Sequence, residues 1–423
     1  MRDPATGRRD LTVATACIVT GLWASSAPAV LYPSFQAELG LGFVGTTALF
    51  ALHPVVLVAG LLLAGGISDR FGRSRTLAAG LALVALGAVV STLPAGTPAL
   101  FASRALEGFG VSLVLPAANA QLGDVLGVRA QGARLAGTVN ACAAAAGTVA
   151  AFLVGAAFVD ACAAGLAQWP IALGAATLLL ACLRADDRGR GSAPGTPTAL
   201  PALPALPALP ALPAAQVRTP FWVGAGVGAV GYAVAAVFLS LGAHLGSDLT
   251  GGGALTSAAC LATFPLASAL VPWFTVTLPE RASIVLGGLA GAAGTSALLL
   301  VDRGGQVALT LAALTAGAGF GLLTRAGAAL VHATVPTGRR AGGLATSSIT
   351  SYSTQAATAL VAGRAAQDLG LPGAFAVLTP AVALLAIGAA STPRLLRVPG
   401  AGQPTPAATP RGAGNRPREA TRA

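Results

Sequence analysis

Arg104 and Glu107 stand three residues apart in "LFASRALEGFG" (100–110), a run otherwise fit for lipid. On a helix that spacing puts two side chains on one face, where opposite charges can touch. Ionisable groups inside an apolar span are costly and by default point to function. The pair has two readings: a mutually neutralising structural couple, or a proton carrier, Glu107, whose proton affinity is set by Arg104 and by hydration of a cavity. Arg325 lies in a second such run with no acid near it in sequence. Together the three leave one positive charge, which an anionic substrate group, backbone carbonyls or water could balance. Tyr32, His53, Asn140, Tyr232 and Tyr352 join Arg325 as polar or aromatic candidates for a central cavity. A lone His53 equally suits packing, and His244 and His332 fall near helix ends.

A second cluster, "GGISDRFGRSR" (65–75), gathers Asp69, Arg70, Arg73 and Arg75 between two apolar runs. Asp69 closes one predicted helix, where a carboxylate can meet the positive N-terminal end of another. Arg70 and Arg73 can pair with acids such as Asp124. Arginines alone would serve topology, but an acid among them opposes that bias and argues for a latch.

These residues need membrane helices to position them. Charged residues make up 9% of the 423-residue chain and hydrophobic ones 55%, against about 25% charged in soluble proteins. A spanning helix takes about 20 mostly apolar residues. That rule gives twelve segments, near 11–33, 43–66, 76–96, 98–120, 133–158 and 164–184, then 220–244, 252–276, 283–302, 305–333, 341–363 and 372–392. The first has the flanks of a leader peptide but the length of a transmembrane helix. All 25 basic residues are Arg. With the N-terminus inside, 21 fall in inner loops and tails, and only Arg303 and Arg364 outside. The bias predicts a multi-pass protein of the inner (cytoplasmic) membrane with both termini cytoplasmic. The net charge of +11 then faces lipid head groups, with no call for nucleic acid.

Residues 1–184 and 220–392 are expected to form two six-helix bundles. The segment 185–219 between them carries "ALPALPALPALPALP" (199–213), whose prolines favour an extended linker. The Pro-, Gly- and Arg-rich 393–423 reads as a disordered basic tail. An offset of 211 residues supports the division. It brings Asp69-Arg70 onto Glu280-Arg281, "GFG" at 108–110 onto "GFG" at 319–321, and "RAQG" at 129–132 onto "RAGG" at 340–343. Parallel repeats of this kind are a plan of secondary transporters.

The loop at 65–74 resembles the signature of the major facilitator superfamily, G-x-x-x-D-R-x-G-R-R/K. Gly65, Asp69, Arg70, Gly72 and Arg73 match, and Ser74 replaces the last basic residue. "LFASRALEGFG" is similar to the family's fourth-helix signature. The resemblance covers nearly the whole chain. It implies an all-α membrane fold of twelve helices in two pseudo-symmetric bundles, and a monomeric secondary carrier with alternating access. It also implies a gate at Gly65, Asp69, Arg70, Gly72, Arg73 and Asp124, with Glu280 and Arg281 as its counterpart. Glu107 stands where the family usually has a neutral amide, which favours proton coupling. "GTVAAF" (147–152) carries Thr148 where antiporters of the family often have proline. The expected activity is proton-driven efflux of a small organic compound, with uptake of an organic anion as the alternative and a transporter-like sensor a remote one. An enzyme would need convergent catalytic side chains at one depth, and only the helix-4 pair qualifies. No phosphate loop, metal cluster or nucleophile triad stands out, so no cofactor is expected. Five scattered cysteines read as packing residues, and the 5% aromatic content argues against a ring-stacked sugar site.

Overall fold

In a bilayer every backbone N–H and C=O must find an internal partner, so apolar runs of this length fold as helices. The computed structural model describes residues 4–64, 71–93, 95–127, 130–184, 218–250, 253–275, 277–335 and 340–391. Gly65, Asp69 and Arg70 of the loop cluster, Arg129, the Ala-Leu-Pro linker and the basic tail lie outside the described residues.

All regular elements among the described residues are helices: α1 (Pro4–Ser26), α2 (Tyr32–Leu39), α3 (Phe43–Ala64), α4 (Arg73–Val90), α5 (Gly96–Leu126), α6 (Ala130–Asp160), α7 (Trp169–Leu183), α8 (Arg218–Thr250), α9 (Ala254–Phe274), α10 (Glu280–Ala297), α11 (Val301–Thr334) and α12 (Arg340–Ser391). Ten segments of the described chain are long and apolar enough to cross a membrane. Two of these are much longer than one crossing, Glu280–Thr334 with 55 residues and Thr346–Leu385 with 40. Each contains a glycine in a left-handed backbone conformation, Gly305 (φ 53°) and Gly370 (φ 70°), at the breaks expected from the sequence. The first predicted span runs further than expected. A 3-10 turn, Ala27–Leu31, interrupts it, α2 continues to Leu39, and Gly40 ends it at φ 64°.

The helices α1 and α3–α7 pack mainly on one another, through α4–α5, α3–α5, α4–α7, α1–α6 and α1–α5. The helices α8–α12 do the same through α8–α11, α8–α12, α10–α11, α9–α11 and α10–α12. The pairs α3–α12 and α6–α9 join the two groups. In lipid, close packing rests on small residues, and "GFG" supplies them twice. On Gly110 of α5 a Cβ would sit 2.7 Å from Gly80 O of α4, and on Gly108 it would sit 2.8 Å from His53 O of α3. On Gly319 of α11 it would meet Gly287 O of α10 at 2.8 Å, and Gly321 presses on Ser268 of α9. Each triplet thus wedges its helix between two neighbours.

Candidate functional site

The proline at position 28 explains where Arg104 goes. Ala24 O would receive the amide of residue 28 in α-helical register, and Ser25 O would receive it in the 3-10 register that follows. Pro28 has no N–H to give. Arg104 of α5 supplies the missing donors: Nη1 donates to Ala24 O at 3.1 Å and Nη2 to Ser25 O at 3.0 Å. Nη1 also donates to Glu107 Oε2 at 2.8 Å, so the expected i,i+3 pair is formed, with the two side chains 2% and 0% exposed. Glu107 faces α4, where a Cβ on Gly87 would lie 2.8 Å from its Cγ. Its Oε1 and the Arg104 Nε have no hydrogen-bond partner.

Arg104 reaches the wall of a cavity of about 320 Å³ between the two helix groups; Glu107 stays behind it. Among the candidates from the sequence, His53, Asn140, Tyr232 and Tyr352 also line this cavity. His53 is buried, and neither ring nitrogen has a partner. Thr148, at the position of the missing proline, is on the wall too and donates to Ala144 O at 3.1 Å.

Phe264 and Phe320 complete the wall, and sequence reasoning missed both. Tyr232 meets Tyr352 edge-on at 5.1 Å between ring centroids and Phe320 at 5.4 Å; Phe264 lies 5.7 Å from Phe320. The repeat held the signal. Phe320 is the centre of the second "GFG", and His53-Pro54 falls 211 residues before Phe264-Pro265, both pairs lining the cavity. Aromatic residues are 5% of the chain, and four of their rings converge here.

Two candidates are not brought to the cavity. Tyr32 is buried in the packed core at the start of α2. Arg325 is turned towards the start of α10, where Nη2 donates to Ser283 Oγ at 2.7 Å and to Leu278 O at 3.2 Å. Of the three ways of balancing its charge open from the sequence, Leu278 O is a backbone carbonyl.

Of the loop cluster, Arg73 pairs with Asp124 as expected and donates to Ala120 O at 2.8 Å, tying α4 to the end of α5. Gly72 precedes α4 at φ 87°. Glu280 and Arg281 open α10 and are exposed.

The level of each helix end can be read from contacts. Gln121 donates to Asp10 O at 3.1 Å and Arg9 to Ala181 O at 3.2 Å, so the ends of α5 and α7 lie level with the start of α1. The two helix groups are tied at the opposite end. There both carboxylate oxygens of Asp160, the last residue of α6, accept from the first amides of α9, Ala254 at 2.8 Å and Leu255 at 2.9 Å. Phe43 and His244 meet edge-on at 5.1 Å across the same boundary. At Gly363 of α12 the Thr47 side chain leaves no room for a Cβ.

A multi-pass helical bundle with a solute-sized cavity at its centre defines a membrane transporter. The chain belongs to the Major Facilitator Superfamily, whose family model matches residues 12–324. It is a transporter of that family and not an enzyme. Among curated proteins it is similar to the major facilitator superfamily multidrug transporter mfsC of Aspergillus fumigatus, 31% identical over 84 residues; the match spans 20% of this chain and 16% of that protein. Among solved structures it is similar to a POT family transporter in complex with 5-aminolevulinic acid (TM-score 0.75, 15% identity, 92% of this chain and 96% of that one). The peptide transporter POT in complex with sulfate matches with a TM-score of 0.75 at 17% identity (92% and 94%), and the nucleoside transporter NupG with 0.66 at 13% (90% and 98%). At such identities the likeness extends to the fold.

Proposed function

We propose that this chain is a secondary carrier that exports a small organic compound by alternating access, driven by protons. The observation that carries the reading is the cavity lined by both helix groups, which are tied to each other beyond it by Asp160 and α9. The 40-residue span would measure about 60 Å as a helix, twice the roughly 30 Å hydrocarbon core. Crossing twice at Gly370, and likewise near Gly305, it brings the ten spans to twelve crossings in two six-helix bundles, 1–184 and 220–392. The arginine bias puts both termini in the cytoplasm of an inner-membrane protein, so the Asp160 tie closes the outer face. A monomer in the bilayer, with protons and a small molecule as its partners, suffices for this cycle.

Glu107 is the proton carrier in this scheme. Protonating it would release Arg104 from its one acidic partner and leave the arginine free to favour another group on the cavity wall. The relative named a multidrug transporter supports a small organic compound as the substrate. Arg73 paired with Asp124, with Asp69 and Arg70 just before Arg73 in sequence, serves as the inner latch, and Glu280-Arg281 as its weaker counterpart.

Reconstituted in proteoliposomes, the protein should show substrate counterflow without a gradient and accumulation with a pH gradient. Glu107→Gln should keep counterflow and lose the response to the gradient; a full response in that variant would remove Glu107 from the mechanism. Asp69→Asn should insert normally and lose transport, and normal transport would refute the latch.

A further inference from the structure

The two walls of the cavity have different chemistry, and together they specify a ligand. The first repeat contributes His53, Arg104 and Asn140 beside Phe50, and the second contributes the cluster Tyr232, Phe264, Phe320 and Tyr352 beside Thr324 and Gln355. We infer that the cavity takes a flat aromatic compound with a hydrogen-bond-accepting head group. The head lies against His53 and Arg104 and the ring against the four aromatic side chains. This rests on the carrier reading above and names its substrate class.

The polar wall has unspent donors. Arg104 and His53 are 2% and 4% exposed. The guanidinium Nε–H and both imidazole nitrogens have no partner in the protein. An arginine can only donate, and an imidazole always carries at least one N–H. Buried donors left unpaired are costly, so the group that fills this wall offers lone pairs: a carboxylate or a neutral carbonyl. A site built to bond such a group rejects an analogue without it far more strongly than one that differs only in apolar bulk.

The opposite wall selects for rings. Tyr232, Phe320 and Tyr352 meet at 5.1–5.4 Å with interplanar angles of 62–73°, leaving ring faces and edges for offset or edge-on contact. An organic cation would also be drawn to ring faces. Here it would share the cavity with the Arg104 guanidinium, so an amine head is the wrong sign for this cavity. The roughly 320 Å³ volume suits one or two fused rings, near the lower end of small-molecule sites.

The test uses the full-length protein in lipid nanodiscs and calorimetric titration. The probes are benzoate, indole-3-acetate and 2-naphthoate, each beside its methyl ester and its matching amine, with hexanoate as the ringless acid. At least one aromatic acid or ester should bind about tenfold or more tighter than both its amine and hexanoate. Comparing acid with ester separates a charged head from a neutral acceptor. His53→Leu should narrow the preference over the amine at least threefold by weakening the acid and ester, His53→Gln should narrow it less, and Phe320→Leu should narrow the preference over hexanoate. An amine that binds as well as its acid, hexanoate that binds as well as the rings, or no binding by any probe would each overturn the inference. Binding without counterflow of the bound probe would sink the carrier reading and leave the ligand class standing. Counterflow of some other compound with no binding of these would do the reverse.

Discussion

Helices α5 and α11 are the same element drawn twice, 211 residues apart, and they differ in what they carry. Both use "GFG" to sink between two neighbours at backbone contact. Arg104 and Glu107 of α5 correspond to Thr315 and Ala318 of α11, and Arg325 of α11 corresponds to Val114. The first helix buries its charges deep, against α1 and α4. The second spends its one arginine on the start of α10. That tie has a mirror in the first group, where Arg73 reaches the opposite way, from the start of α4 to the end of α5. The scaffold contacts are held in common, while the buried charges sit on the first side of the cavity and four of its five aromatic rings on the second.

The sharpest test of this contrast is at the Arg104–Glu107 pair. Arg104→Ala strands Glu107 in a buried site and leaves two carbonyls open, so it should destabilise by about 3–5 kcal/mol. The double variant with Glu107→Ala should recover part of that loss. Thermal unfolding of purified protein, followed by size-exclusion chromatography, reads both. If the single and double variants are equally unstable, the pair carries no coupling.

Next come the shared contacts. Gly110→Leu and Gly321→Leu each drive a side chain into a backbone carbonyl on a neighbouring helix, which should cost about 1–3 kcal/mol or more. Similar losses in both, measured the same way, would confirm that the triplets do one job; a tolerant Gly321 would break the equivalence. The smallest effects belong to the mirrored ties. Arg325→Ala removes two part-buried hydrogen bonds and should cost about 1–2 kcal/mol. Arg73→Ala loosens a half-exposed ion pair and should cost under about 1 kcal/mol. An Arg73 effect as large as that of Arg325 would contradict their ranking by burial.

Much of this was legible because the membrane restricts the choices. Apolar length fixed the helices, and the chain breaks fell at Gly305 and Gly370 where a gap in apolarity had placed them. The Arg104–Glu107 pair followed from helical spacing alone. The 3-10 turn at Ala27–Leu31 and the run on to Leu39 were missed, since Pro28 was read as part of one continuous apolar span. Arg325 was assigned to the cavity because its partners are a carbonyl from the preceding loop and a serine, neither of which announces itself in sequence as a counterpart to a charge. The aromatic wall was hidden for another reason: composition counts rings without saying whether they converge. Its trace in the sequence is a pair of unlike residues at matching positions, His53-Pro54 and Phe264-Pro265.

The gap that Pro28 opens in α1 also has a genetic consequence. A guanidinium meets three acceptors on two helices, while a lysine ammonium is a point charge that lacks that planar reach. Arg104→Lys should therefore behave as a partial loss of function. Pro28→Ala, which returns an amide to α1, should act as its intragenic suppressor, restoring folded protein to Arg104→Lys but not to Gly110→Leu. A selection for regained expression in the Arg104→Lys background would then recover changes at position 28, some eighty residues away in sequence and one hydrogen bond away in space.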